Sequence, residues 1–522
     1  MSELELRRMV GQMIVAGFEV DHPAEIPESI KDLIEKDFVG NIILFTRNIG
    51  SIRQVKQLTY ELQKTASEAG HEQPLWIATD QENGIVKRVH KGITELPGAM
   101  LIGATGDTSN AYETGVITGE ELLSLGVNWN MAPVADVNNN SNNPVIGVRS
   151  YGKNPHHVKF YANQMAEGLK QSNVLATYKH FPGHGDTSSD SHLGIPVVNH
   201  SIEHLEKTEL VPFSYAITNG AEAIMVSHVH YDAFDGESET PATLSKSIIK
   251  NFLRKKLEFD GLVVTDCMEM DAISKTVGTP KGASLSIQAG ADLITISHKT
   301  DVQKEAIEMI LSDLNKGELS ESNIEESYQR IKQVKARYLD WKTTLNSNQS
   351  LEESSLNSKK HQNIAKKIYQ SGVTIIGQEQ ALPLKVDAEV RTLLIIPKEM
   401  SKTMAEDGFD QLATFVEKVK FFEPSVEVVS HQKAQSNTCM DYDRYIIITS
   451  SAVQDEEQQT LIHQLNNQFT SIIAIAVKSP YDLHILPEVD LFVATYEASV
   501  SALEMAASAL YGYVEAKGKL PI

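Results

Sequence analysis

Val174-Leu-Ala-Thr-Tyr178 runs directly into Lys179-His-Phe-Pro-Gly-His-Gly-Asp-Thr-Ser-Ser-Asp-Ser-His192. The first five residues are apolar and strand-like. The fourteen that follow carry three histidines, two aspartates and a lysine. Pro182, Gly183 and Gly185 keep this second part out of helix and regular sheet. An apolar strand therefore delivers a long polar loop at its C-terminal end, and loops of this length and charge inside a compact domain tend to be functional.

The same handover recurs on both sides of this stretch. Apolar runs at 14–18, 39–45, 75–79, 130–135, 174–178, 223–227, 262–265 and 292–296 alternate with helical patterns, among them 51–69, 109–125, 155–171, 201–218 and 245–257. Several runs are rich in Val and Ile, as expected of strands buried on both faces of a parallel sheet. Eight strands alternating with helices over about 300 residues predict a (β/α)8 TIM barrel. A doubly wound open sheet is the competitor, and no GxGxxG follows the first strand to support it. Just past the strand ends stand Asp80, Asp136, Lys179-His180, His228-Val-His230 and Asp266. In a barrel these gather at the C-terminal face, where barrel active sites form.

Helical patterns at 301–316 and 321–341 close this first domain, placed at 1–342. Residues 343–360 are polar and read as a linker or a polar helix start. From 361 to 522, runs at 372–376, 392–397, 445–449, 472–477 and 491–495 predict a smaller α/β sandwich domain with a mainly parallel sheet. It has helical patterns at 456–467 and 499–511 and no dense polar cluster.

Composition narrows the functional classes. The net charge of −22 over 522 residues argues against nucleic acid and anionic membranes as partners. Cys267 and Cys439 are the two cysteines, too few for a disulfide framework. No apolar run is long enough to span a bilayer, and no signal-peptide pattern is read at the N-terminus. A cytoplasmic protein is the expectation.

The clustered residues suit sugar chemistry. Asp190 and His192 are two apart, so in an extended loop the carboxylate can fix the imidazole tautomer and leave the other nitrogen to move a proton. Asp266, after Leu262-Val-Val-Thr265, is a candidate nucleophile or charge stabiliser. A carboxylate opposite a proton donor is a layout for cleaving a glycosidic bond. Arg88, Arg149, Lys179 and His180 are donors for hydroxyls, and Asp80 is an acceptor.

The stretch 179–192 resembles the signature of family 3 glycoside hydrolases, in their β-N-acetylglucosaminidase branch. Asp80-Gln-Glu-Asn-Gly84 with Arg88, Asn130-Met-Ala-Pro-Val-Ala-Asp136, Arg149-Ser-Tyr-Gly152 and Val263-Val-Thr-Asp266 are similar to further blocks of that family, in its order. Ser479-Pro-Tyr-Asp-Leu483 and Gly518-Lys-Leu-Pro-Ile522 extend the likeness to the C-terminus. The resemblance implies a retaining exo-β-N-acetylglucosaminidase acting on muropeptides, chitooligosaccharides or related glycosides. It implies Asp266 as nucleophile, His192 with Asp190 as acid/base, and Asp80, Arg88, Arg149, Lys179 and His180 around the terminal sugar. It implies no metal or organic cofactor and a carbohydrate partner. One block departs from the pattern, since Asn83 and Ile85 stand where relatives often have Gly and Arg. Asn tolerates the left-handed turn, and Ile85 removes a charge.

Four other readings are open at this point. Phosphorolysis is one, because a histidine acid/base does not repel phosphate as a carboxylate would. β-Glucosidase activity is another. A metal-dependent barrel hydrolase could use His180, His184, His228, His230 and Asp266 as ligands. A protein that only binds its sugar is the last, motivated by Ile85. Cys267, beside Asp266, is read as a small buried residue.

Overall fold

The computed structural model describes residues 1–188, 194–236, 238–350, 356–387, 389–398, 400, 406, 411–435, 442–468, 471–486 and 489–522. Each of the eight apolar runs of the first part contains strand. Six strands pair in the order Ile294–Ile296, Ile14–Ala16, Asn41–Leu44, Trp76–Thr79, Trp129–Asn130 and Leu175–Ala176, all parallel. Leu262–Thr265, Ala223–Val226 and Tyr178–Phe181 pair in a second parallel set. Isolated parallel bridges pair Val134 with Lys179 and Val264 with Leu293. Ile42, Ile77, Ile224, Val263 and Ile294 are buried, as the β-branched runs require.

The run 130–135 is the exception in extent. Its strand is Trp129–Asn130, and the remaining residues cross the sheet end as irregular backbone. Pro133, without an N–H, cannot continue a ladder there.

Helices fill the intervals, with one difference from expectation. The pattern at 201–218 splits into Ile202–Lys207 and Leu210–Thr218. Pro212 accounts for the break, because its ring would clash with the carbonyl of Thr208 in a continuous helix. Thr208 accordingly leaves the helical region at φ −129°, ψ −85°. In the polar stretch 343–360, which reads as a linker or a polar helix start, most of the described residues are helical. Trp341–Ser350 covers its first part, with the Trp341 indole donating to His71 O at 3.1 Å, and Lys359–Gly372 begins inside it, capped by Ser358.

The C-terminal part forms a second six-stranded sheet. Its order is Thr374–Gly377, Leu491–Ala494, Ile472–Ala476, Arg444–Thr449, Thr392–Ile396 and Glu427–Ser430. Every pair is parallel except the first. The edge strand Glu427–Ser430 and the helix Leu412–Phe422 lie outside the sequence-derived pattern. That strand is half-exposed and short, so it lacks the apolar run that marks its neighbours. The chain is α/β with mainly parallel sheets. No helix among the described residues is long and apolar enough to cross a membrane.

Candidate active site

Asp80, Arg88, Arg149, Lys179, His180 and Asp266 all line one cavity of about 730 Å³. Those six sequence-predicted residues come together in space. Asp190 and His192 fall at 189–193, outside the described residues.

The local fold explains the convergence. Trp76–Thr79 ends at Asp80, and Gln81–Asn83 then pairs antiparallel with Val86–Lys87. The reversal needs left-handed backbone at Asn83 (φ +69°) and Gly84 (φ +60°). Asn meets that need, and its Nδ2 donates to Thr118 Oγ1 at 3.0 Å. At Gly84 a Cβ would lie 2.6 Å from Gly98 Cα, so glycine is required for close approach as well. The hairpin carries Arg88 back over Asp80, Nη2 to Oδ2 at 3.4 Å.

Glu82 is the residue that sequence reasoning quoted without assigning a role. Its carboxylate takes Arg149 in a two-point contact, Nε at 2.9 Å and Nη2 at 2.8 Å. Lys179 Nζ reaches Glu82 at 2.7 Å and Asp80 at 2.9 Å. Asp80 and Glu82 are two apart, and strand alternation aims both at the same side, which is the signal that could have found Glu82. Burial opposes ionisation of Glu82, but Arg149 and Lys179 outweigh it and hold the carboxyl well below the usual range. Asp80 is likewise held low by Lys179 and Arg88 against burial. Lys179, despite burial, is raised by the two carboxylates and stays charged.

Asp136 organises the neighbouring loop. It accepts from the backbone N–H of His180 at 3.2 Å and of His184 at 2.7 Å, and its Oδ2 lies 2.7 Å from His180 Nδ1. The carboxyl is held low by His180 and its hydrogen bonds, against burial. His184 is pushed down to about 4, first by burial and then by His180, so it is neutral at physiological pH. His184 Nδ1 is paired with Thr187 Oγ1 at 2.8 Å.

Asp266 follows Leu262–Thr265. Its backbone N–H donates to Val226 O at 3.0 Å, and its Oδ1 accepts from the Cys267 N–H at 2.7 Å. Two strands thus fix the backbone that carries this carboxylate. Cys267 is half-buried rather than buried, and lines the same cavity with Glu269 and His298.

The C-terminal part reaches this site. Glu406 lines the cavity and pairs with Lys478 at 2.7 Å, so the second sheet's region does more than pack against the first. Ile85 lines a small adjoining cavity of about 40 Å³ with Glu406 and Lys478. Because Lys478 already pairs Glu406, an apolar residue at 85 leaves that acid matched.

The histidines of the metal-hydrolase reading are occupied by protein partners. His228 bonds Thr243 Oγ1 and Cys267 O, both at 2.8 Å, and His230 bonds Thr240 O at 3.0 Å and Gly236 O at 2.8 Å. Among the described residues, neither joins a three-residue group able to share an ion.

The chain is similar to several known proteins. Beta-hexosaminidase A of Pseudoalteromonas piscicida is 33% identical over 390 residues, which is 71% of this chain and 64% of that protein. A fungal multi-domain GH3 β-N-acetylglucosaminidase, with a GCN5-related glucosamine N-acetyltransferase region, superposes with a TM-score of 0.91 at 36% identity, over 99% of this chain and 60% of the other. The chain thus spans less than two thirds of these two relatives. A glycoside hydrolase family 3 β-N-acetylglucosaminidase from Paenibacillus sp. str. FPU-7 gives a TM-score of 0.89 at 34% identity, over 99% of this chain and 98% of that one. Residues 5–334 match the glycosyl hydrolase family 3 N-terminal domain, and the chain belongs to that family.

Proposed function

We propose that this protein is a retaining exo-β-N-acetylglucosaminidase. The observation that carries the reading is the placement of Asp266 on the same cavity as the Asp80–Lys179–Glu82–Arg149 network. Asp266 attacks the anomeric carbon while His192, oriented by Asp190, gives its proton to the departing glycosidic oxygen. A covalent glycosyl ester on Asp266 results. His192 then takes a proton from water, the water oxygen attacks the same carbon, and Asp266 leaves with the bond's electron pair. Two inversions retain the β configuration.

The ionic network prepares the sugar subsite. Asp80 is kept ionised and accepts from sugar hydroxyls, while Arg88 and Lys179 stand beside it as donors. Glu82 balances Arg149 and Lys179, so two buried cations keep fixed positions. His180, oriented by Asp136, adds a donor from the loop. Chemistry of this kind draws on dipoles and charges already in place before the substrate arrives.

The same proposal includes the architecture. The bridges Val134–Lys179 and Val264–Leu293 support closure of eight parallel strands into a (β/α)8 barrel spanning 1–342, with a second α/β domain at 361–522. Muropeptide fragments and chitooligosaccharides are the proposed substrates, and the cytoplasm the proposed place of action. The acidic surface is consistent with small glycans rather than polyanions.

The test is release of 4-nitrophenol from 4-nitrophenyl N-acetyl-β-D-glucosaminide and from the β-D-glucoside, with and without phosphate. Preference for the N-acetyl sugar, independent of phosphate, is the expected result. Phosphate dependence with a sugar 1-phosphate product would replace hydrolysis by phosphorolysis. Preference for the glucoside would make it a β-glucosidase, and absence of turnover would leave a binding protein.

A further inference from the structure

A second cluster of titratable side chains lies outside the cavity, on the two flanks of 189–193. His200 precedes the helix Ile202–Lys207, His204 sits in its first turn, and Glu209 stands in the break before Leu210–Thr218. The rings of His200 and His204 stack at 4.1 Å between centroids and 26° between planes. One donor atom from each of His200, His204 and Glu209 lies within 4.8 Å of the other two, and His204 Nε2 is 3.7 Å from Glu209 Oε1. Nitrogen and oxygen ligands of one tetrahedral zinc stand about 3.3–3.5 Å apart, so binding requires the stack to open, one ring turning until its in-plane lone pair and that of the other meet at the ion.

Two independent observations point to a cation. Glu209 is fully buried, and while its Oε1 accepts from Asn139 Nδ2 at 2.9 Å, its Oε2 has no hydrogen-bond donor among the described residues. A buried carboxylate oxygen without a donor is uncommon and costly. Burial accordingly holds the Glu209 carboxyl above its ordinary range. Behind the cluster, Asp186 Oδ2 contacts His200 Nε2 at 2.6 Å. A carboxylate on Nε2 fixes the tautomer of His200, and outer carboxylates of this kind orient zinc-binding histidines through the nitrogen that the metal leaves free. His204 is the exposed member, with 44% of its side chain accessible, and provides the way in.

We propose that His200, His204 and Glu209 bind a zinc ion, with Asp186 as the outer carboxylate that orients His200. Two histidines and a carboxylate form a donor set suited to that ion. Its place in the fold gives it a structural consequence. Asp186 belongs to the polar stretch after Tyr178–Phe181, and Glu209 packs against the same stretch at Gly183, where a Cβ would come within 2.6 Å of Glu209 Cβ. The ion therefore ties the stretch 183–186 to the two helices beyond it. The site is independent of the catalytic reading, and its binding is measured without turnover.

The experiment uses the full chain stripped of metal by a chelator. Zn²⁺ is titrated by calorimetry, and Co²⁺ by its visible absorption. Saturable uptake of one Zn²⁺ at this site, a Co²⁺ spectrum of a nitrogen and oxygen site, and a Zn²⁺-dependent rise in Tm of about 2–5 °C are expected. H200A and H204A should each weaken Zn²⁺ binding at least about tenfold and remove the rise in Tm, and D186N should weaken it less. His204 is exposed, so H204A keeps the fold, and circular dichroism checks this. Lack of saturable uptake, or uptake indifferent to H204A, overturns the proposal. A near-ultraviolet thiolate-to-Co²⁺ band lost in C267S also overturns it, by moving the ion to Cys267, Glu269 and His298, whose donor atoms are similarly close.

Discussion

In the first two-thirds of the chain, Asp80 and Asp266 follow strand ends, Lys179 lies within Tyr178–Phe181, and all three face a cavity. In the C-terminal sheet, Arg444–Thr449 hands over to Ser450 and Ser451, and Leu491–Ala494 to Thr495, Tyr496 and Glu497. Polar groups of this second region turn to the first region's backbone. Glu497 accepts from Gly98 N–H at 2.7 Å, and Tyr481 Oη donates to Asn138 O at 3.0 Å. Both regions are built from buried parallel strands, yet among the described residues the carboxylates that follow a strand end and line this cavity, Asp80 and Asp266, belong to the first region. Glu406, paired with Lys478, is the point where the second region crosses over to the cavity side. Parallel sheets thus set where polar residues emerge, and the neighbour that meets them decides between chemistry and adhesion.

The sharpest way to break this comparison is at Asp266. D266N keeps shape and hydrogen-bonding capacity but cannot form the glycosyl ester. Turnover should fall by about 10⁴-fold or more, with Tm nearly unchanged. Hydrolysis of the 4-nitrophenyl substrate beside a thermal melt measures both. A loss of Tm instead of turnover would put Asp266 among the structural carboxylates, like Glu497.

Glu82 probes the opposite limit, a charge that faces the cavity yet is almost wholly enclosed. Its side chain is 6% exposed, and those of Arg149 and Lys179 are 5% and 3%. Removing one member of a buried ionic group typically costs about 3–5 kcal/mol. E82Q should therefore lower the urea midpoint markedly and raise KM, because Lys179 and Arg149 lose the group that fixes them. If stability holds and only KM moves, the network is softer than its burial indicates.

The strands and most helices of the first region were legible because their apolar runs and caps are local signals. Helix Pro155–Gln171 opens with Asn154 and Pro155 and ends as its pattern predicts. The two-helix break at Thr208 was carried by a single proline in an otherwise continuous amphipathic pattern. Strand Glu427–Ser430 was missed because a half-exposed edge needs no apolar run. The site residues were recognisable by position after strand ends, but not their pairing. Arg149 and Asp80 are 69 residues apart in number, and only the fold shows that Glu82 and Lys179 stand between them. The Glu209 oxygen without a donor had no sequence signal, since satisfaction of a buried group depends on its distant neighbours.

Asp482 sharpens the comparison through pH. It lies in the second region, Oδ1 accepts from Val453 N–H at 3.2 Å, and burial pushes its carboxyl up from 3.8 to about 6. Between about pH 4 and 6 the folded chain then holds this proton more tightly than the unfolded chain. Its contribution to stability falls as pH rises through that window and stays unfavourable above it. D482N should flatten this component of the Tm–pH profile and raise Tm at pH 7–8 relative to wild type. An unchanged profile would mean that the carboxylate is matched when ionised.

Tyr481 gives the smallest and most selective effect. Its hydroxyl donates to Asn138 O at 3.0 Å and accepts from Asn138 Nδ2 at 2.9 Å, in a buried contact between the two regions. Y481F removes both bonds and keeps the ring, so a loss of about 1–2 kcal/mol in unfolding free energy is expected. The kcat/KM for the 4-nitrophenyl substrate should remain at the wild-type value, because Asn138 is one residue beyond Val137 and two beyond Asp136, and Asp136 is separately fixed by three hydrogen bonds from His180 and His184 backbone and ring nitrogens. A fall in kcat/KM without a fall in stability would show that the second region positions the Asp136 loop for the reaction, and the division between cavity charge and adhesive charge would then give way to one coupled network.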